Sequence, residues 1–325
     1  MPKDVLLLIE KSAHRLSCYD IDGGELLHVV PLPEFPHEFT LNADCGIAYI
    51  GHYGVANSGS EDTGGHEVLA LDVAAGRIVD RFSLGEGMNR PHGIGMDGMG
   101  RLYALSETAA RLVIWDDPRK GGAPDRTAPT GGRKPHLFAV TRDGRRCYSM
   151  NLDSNDVTVF DPQDPSVTPV PVSTGEMPEG RLLREDEKLL FVTNRKSETV
   201  VALDTVTLEI TASENVPGDP VRIFHDRRRS RLMTVDYRGR SLTLLDDRSL
   251  KTIGRVELEV PPISLSFDKS MTRAFISTDA NELHCLDLDR LAVTRKIPTG
   301  KEPDVSAIVS LDDNAAILTR GAAVT

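Results

Sequence analysis

A proline stands just before a short apolar run seven times along this 325-residue chain, at Pro36, Pro91, Pro135, Pro178, Pro220, Pro262 and Pro303. The intervals are 55, 44, 43, 42, 42 and 41 residues. A second series keeps the same phase: an aspartate closes the third apolar run of each unit, at Asp20, Asp72, Asp116, Asp161, Asp204, Asp246 and Asp287. Two series with one period specify a repeat, and roughly 40–45 residues holding about four short strands is the period of a β-propeller blade. The expectation is an all-β, seven-bladed propeller of four-stranded blades. Residues 1–325 then form one domain, because a closed ring commits every blade to the same core.

The clearest copy runs from Met177 to Pro220. It divides into strands at 180–183, 189–194, 199–204 and 208–212, separated by charged or turn-forming residues. Ring closure is expected from a shared blade. The N-terminus offers second, third and fourth strands at 5–10, 15–20 and 26–30, and residues 305–309 supply the innermost one. Residues 315–320 also read as a second strand and compete for the place of 5–10, so the last ten residues stay unassigned. The stretch 116–135, rich in Gly, Pro and charge, replaces a recognisable fourth strand.

The net charge of −11 works against nucleic acid, which needs a concentrated basic footprint. The basic run from His225 to Arg231 falls between first and second strands and reads as a solvated turn. Only five apolar residues, Val5 to Ile9, precede charge at the N-terminus, too few for a signal peptide core or a membrane span. The expectation is a cytoplasmic monomer with a small-molecule substrate and no membrane partner. Cys18, Cys45, Cys147 and Cys285 lack C-x-x-C spacing and read as reduced packing residues.

In a propeller the innermost strand begins at one face of the channel and the second strand returns there. Two sets of residues should therefore meet at one mouth. The first follows the prolines: His37, His92, His136, Glu179, Val221, Ile263 and Asp304. The second ends the second strands: Glu10, His52, Ser106, Asn151, Asn194, Asp236 and Thr278. Three consecutive blades thus place an imidazole, and the fourth a carboxylate, at one equivalent point. That set suits a divalent transition metal such as zinc, iron, manganese or copper, held by His37, His92, His136 and Glu179. His52, Glu107, Asp236 and Tyr237 are the catalytic candidates, with His52 or Glu107 moving the proton. Arg222, Asn151, Asn194, Arg195 and Asp304 are the candidates for binding a polar substrate. The remaining histidines, His14, His28, His66, His225 and His284, read as structural. The first full blade carries about ten extra residues within Gly51 to Glu67, a lid, a binding loop or a surface decoration.

The segment FVTN, Phe191 to Asn194, resembles the Tyr-Val-Thr-Asn signature of the YVTN β-propeller family, which includes lactonase-like proteins. Counterparts are YIGH at Tyr49, YALS at Tyr103, YSMN at Tyr148, MTVD at Met233 and FIST at Phe275. The segment PHGIGMDGMGRLY from Pro91 is similar to the innermost-strand motif of the gluconolactonase (senescence marker protein) and virginiamycin B lyase families. The former resemblance implies metal ligands just before a glycine at the strand head, which His92-Gly93 and Glu179-Gly180 match. His37 and His136 hold the same place without the glycine.

Together these readings lead to a metal-dependent enzyme acting on a small polar metabolite, by lactone hydrolysis. The alternatives are a lyase or isomerase working through an enolate, or a non-catalytic binding scaffold. Against the scaffold, aromatic residues are only 5% of the chain, few for an interaction disc. For it, the chain has no G-x-S-x-G and no H-E-x-x-H motif.

Overall fold

The computed structural model describes residues 2–319. Its strands form seven four-stranded antiparallel sheets arranged as blades. Numbered from the shared blade, the innermost strands are Pro303–Leu311 (blade 1), Pro36–Asn42 (2), Pro91–Met96 (3), Pro135–Val140 (4), Pro178–Leu183 (5), Pro220–Asp226 (6) and Pro262–Phe267 (7). Blade 1 joins the two ends of the chain, Pro303–Leu311 pairing with Lys3–Glu10. No helix among the described residues is long and apolar enough to cross a membrane.

Both punctuation series have a backbone cause. At six of the seven prolines the preceding residue is left-handed: Phe35, Arg90, Lys134, Met177, Asp219 and Glu302 have φ between 50° and 65°. The chain swings through that residue and proline then fixes φ for entry into the strand. The aspartates make Asx turns: the carboxylates of Asp20, Asp72, Asp161, Asp204, Asp246 and Asp287 accept backbone N–H groups two or three residues ahead. Asp116 departs from this and pairs with Arg126 instead.

The core consists of seven apolar clusters, each spanning one blade–blade boundary. Second and third strands are buried along most of their length, whereas fourth strands such as Ile210–Asn215 alternate towards solvent. Closure is complete in packing terms: Leu6, Leu8, Tyr19 and Ile21 of blade 1 join Phe275, Leu283, Cys285 and Ile297 of blade 7. Each cluster interdigitates two sheets, so truncating a fully buried side chain such as Leu8 is a cavity-forming change costing about 2–5 kcal/mol.

Three local expectations are corrected. Blade 3 does have a fourth strand, Arg126–Pro129, reached through a short 3-10 turn at Pro118–Lys120. Residues 316–319 form a helical turn instead of a competing strand, and Ile317 is buried in the cluster between blades 1 and 2. The rest of that segment, from residue 320, lies outside the described residues. Cys45 is exposed on a turn, whereas Cys18, Cys147 and Cys285 are buried thiols. The basic run does form a turn, Arg227–Arg229, but Arg231 next to it is buried against Asp226.

Candidate active site at the channel mouth

The residue after each proline sits in a β-bulge. Register shifts fall between Pro36 and Phe39, Pro91 and Ile94, Pro135 and Leu137, Pro178 and Arg181, Pro220 and Arg222, and Pro262 and Ser264. Blade 1 has its irregularity at the same level, between Leu8 and Glu10 opposite Pro303. A bulge removes a residue from the ladder and re-aims its side chain. All seven residues of this ring, His37, His92, His136, Glu179, Val221, Ile263 and Asp304, consequently line one cavity of about 310 Å³.

The second set expected at the mouth is one residue out of step. Asn151 bonds Ser149, Asp156 and Thr158, and Asn194 bonds Thr174 and Thr199, all within the sheet edges. Asp236 accepts from Thr234, Ser241 and Thr243, and burial raises its pKa against those bonds. None of the three lines the cavity, and neither does His52, which faces Glu67 at 3.7 Å and is pushed towards its neutral form by burial. The next residue along does the work: Lys11, Tyr53, Arg195, Tyr237 and Asp279 line the cavity, and Glu107 reaches it through His136. In six blades the residue after the second strand donates its N–H to the carbonyl of the residue before the proline, as Arg195 does to Met177 at 3.0 Å. That bond turns the chain across the mouth.

Three imidazoles from blades 2, 3 and 4 stack at the centre. His37 and His92 have ring centroids 4.2 Å apart, and His92 and His136 3.5 Å. Tyr53 meets both His37 and His92 edge-on. A buried carboxylate stands beside each of the outer two rings: His136 Nδ1 is hydrogen-bonded to Glu107 Oε2 at 2.9 Å, whereas His37 Nδ1 lies 3.0 Å from Asp304 Oδ2, an ion-pair contact without hydrogen-bond geometry. For His136, Nε2 is therefore the nitrogen left to the cavity. Glu107 also accepts from the Tyr53 hydroxyl at 3.0 Å and pairs with Arg90 at 3.4 Å. Burial alone would raise the Glu107 carboxyl, yet His136 and Tyr53 hold it below its ordinary value. Asp304 is likewise held low by His37 and Arg222 against the effect of burial. His92 has no such carboxylate, and its Nδ1, like that of His37, is buried without a hydrogen-bond partner.

Burial, followed by His136 and His37 beside it, pushes the His92 pKa well below its ordinary value, so the ring is neutral. The unfolded chain binds a proton on this histidine near pH 6.5, where the folded protein does not. Stability contributed by the neutral ring is present above that pH and is lost on acidification. A His92→Asn variant is thus expected to show a smaller drop in Tm between pH 7 and pH 5 than the parent. An unchanged drop would place the titration elsewhere.

The cations of the mouth are all paired. Arg195 bridges Glu179 at 2.8 Å and Asp219 at 2.7 and 2.9 Å. Arg222 reaches Glu38 at 2.6 Å and Asp304 at 3.5 Å, and Lys11 pairs with Glu302. Among the described residues no group of three or more His, Cys, Asp or Glu side chains is arranged to hold a metal ion. Two features explain why the metal set expected from sequence meets without forming a cage: the rings pack against one another, tilted by 50° and 31°, and Glu179 is committed to Arg195. Of the other histidines, His14 accepts from Phe35 N, while His225 and His284 pair with Asp247 and Glu282 away from this cavity.

No protein-family model matches the chain, and no curated protein matches it in sequence. Solved structures do match. A Bacteroides uniformis protein assigned as a 6-phosphogluconolactonase superposes with a TM-score of 0.76 at 12% identity, covering 94% of this chain and 100% of its own. The periplasmic gluconolactonase of Pseudomonas aeruginosa gives 0.76 at 13%, covering 94% and 99%. Hydrazine synthase of Kuenenia stuttgartiensis gives 0.70 at 15%, covering 87% and 92%. The chain shares their fold. Identities this low carry the fold alone, and one propeller serves unrelated chemistries.

Proposed function

We propose that this chain is a hydrolase that opens an uncharged, polyhydroxylated lactone at the channel mouth. The observation that carries the reading is His136, which lines the cavity with its Nδ1 hydrogen-bonded to the buried Glu107 carboxylate, so that Nε2 is left to act; His37 stands beside it, 3.0 Å from Asp304. A carboxylate behind an imidazole fixes its tautomer and stabilises the cation that forms when the ring takes a proton. Water attacks the lactone carbonyl as His136 Nε2 accepts its proton, giving a tetrahedral oxyanion. Collapse breaks the ring C–O bond, and the proton returns to the leaving alkoxide. The product is the open hydroxy acid. Arg195 and Arg222 supply positive charge near the developing oxyanion.

Charge pairing favours a neutral substrate. A phosphate dianion needs free cations or bidentate guanidinium, but Lys11, Arg195 and Arg222 are each already matched by carboxylates. Hydroxyl groups can instead bond to Asp279, Glu302, Tyr237 and Asn57, which also line the cavity. The likeness to a structure named as a gluconolactonase supports the same class of substrate.

A metal-dependent version of this reaction is the second reading. Two observations favour it: carboxylates behind His37 and His136 are the supports that ligating histidines use, and His92 Nδ1 is left without a partner. His37, His92 and His136 would hold a divalent ion through ring nitrogens after pivoting out of their stack, and such an ion polarises a carbonyl or acidifies water.

A pH-stat assay separates the readings. Glucono-1,5-lactone is expected to open at least about 10²-fold faster than the uncatalysed rate, and its 6-phosphate ester at no comparable rate. Full activity after exhaustive chelation, with no metal by mass spectrometry, selects the metal-free route. Loss of activity restored by one ion selects the other. No acceleration of any lactone removes the proposal.

A further inference from the structure

The extra residues of blade 2 are anchored from the next blade. Residues 53–66 connect the strands Ile47–His52 and Glu67–Asp72. Their base is cinched by Gly65 N donating to Tyr53 O at 2.8 Å, and Gly54 and Gly64 adopt φ of 75° and 80°. A Cβ on Gly54 would lie 2.1 Å from Gly65 N, so only glycine permits this closure. Arg90, the left-handed residue before Pro91, donates its own N–H to Gly65 O at 2.7 Å. Its guanidinium then runs beneath the segment, Nη2 donating to Ser60 O at 2.6 Å and to Asp62 O. Nη1 lies 3.4 Å from Glu107, the carboxylate behind His136. The side chain is only 9% exposed, and Asn57 and Ser58 on this segment line the cavity.

We infer that Arg90 is a positioning residue, which holds the 53–66 segment as a fixed wall of the mouth and braces Glu107 behind His136. As a consequence for the hydrolase reading, on which its functional meaning rests, Asn57 and Ser58 form a permanent part of the substrate surface instead of a swinging lid. Position matters here. The equivalent residues Asp219 and Glu302 hold Arg195 and Lys11 at the same mouth, and Asp219, like Arg90, reaches back to the turn of the preceding blade.

Hydrogen exchange and NMR test this without turnover. In Arg90→Met, amides of 54–64 are expected to exchange about tenfold faster or more, because charge-assisted bonds to two carbonyls are lost. The ring 15N signals of His136 should move as Glu107 loses its brace, whereas those of His225, paired with Asp247, should not. Arg90→Lys keeps the charge without the fork and should protect the segment only partly; it also serves if the Met variant fails to fold. Unchanged exchange of 54–64 in both variants, or fast exchange in the parent, would overturn the inference. A protein inactive on lactones but showing these changes would retain the wall and lose only the proposed reaction.

Discussion

Replacing His136 by glutamine is expected to slow lactone opening by about 10²–10⁴-fold, the usual worth of a positioned general base. Glutamine can still donate to Glu107 and fill the space beside His92, so Tm should change little and circular dichroism should stay that of the parent. Glu107→Gln probes the other half of the pair. It keeps an acceptor for the Tyr53 hydroxyl but removes the charge that stabilises a protonated imidazole, so kcat should fall while KM holds. His225→Gln, away from the mouth, is the control. A His136→Gln rate within about threefold of the parent would assign the proton transfer elsewhere, first to His37, whose Nδ1 lies 3.0 Å from Asp304.

How the mouth was legible follows from what fixes each residue there. The blades could be counted because their punctuation is local: a left-handed residue with a proline, and an aspartate closing an Asx turn, are needed wherever the chain makes these bends. The histidine ring was legible for the same reason, since each member sits one residue after a proline. The facing ring is only half legible. The second strands end at Asn194 and Asp236 as the sequence indicates, but those side chains bond within their own blades, and the next residue, already outside the ladder, faces the cavity: Arg195 and Tyr237, which are also candidates from sequence, stand there. His52 and Tyr53 stand in the same relation. Long-range partners left no local trace at all. Arg222 meets Glu38 across 184 residues of sequence, and Arg90 meets Ser60 of the preceding blade through a carbonyl that carries no sequence identity.

The pairing across the channel carries the largest expected effect on stability. Arg222 is 8% exposed and stands between Glu38 and Asp304, which are 5% and 2% exposed. Burial disfavours the guanidinium charge, but Glu38 and Asp304 outweigh it and hold the group firmly protonated. Arg222→Leu would leave two carboxylates in the same enclosed space without their cation. Breaking a buried pair from one side costs about 3–5 kcal/mol, whereas replacing both partners by apolar groups costs far less. Urea unfolding at pH 7 is therefore expected to show a loss of that size in Arg222→Leu and a substantial recovery in Arg222→Leu/Glu38→Leu, where Asp304 keeps His37 as its partner. The penalty should also shrink on acidification. Arg222 helps to hold Asp304 below the ordinary carboxylate range, so in its absence this carboxyl takes up a proton at higher pH and the repulsion is relieved. A loss below about 1 kcal/mol, independent of pH, would mean that cavity water screens these charges as it does at an open surface.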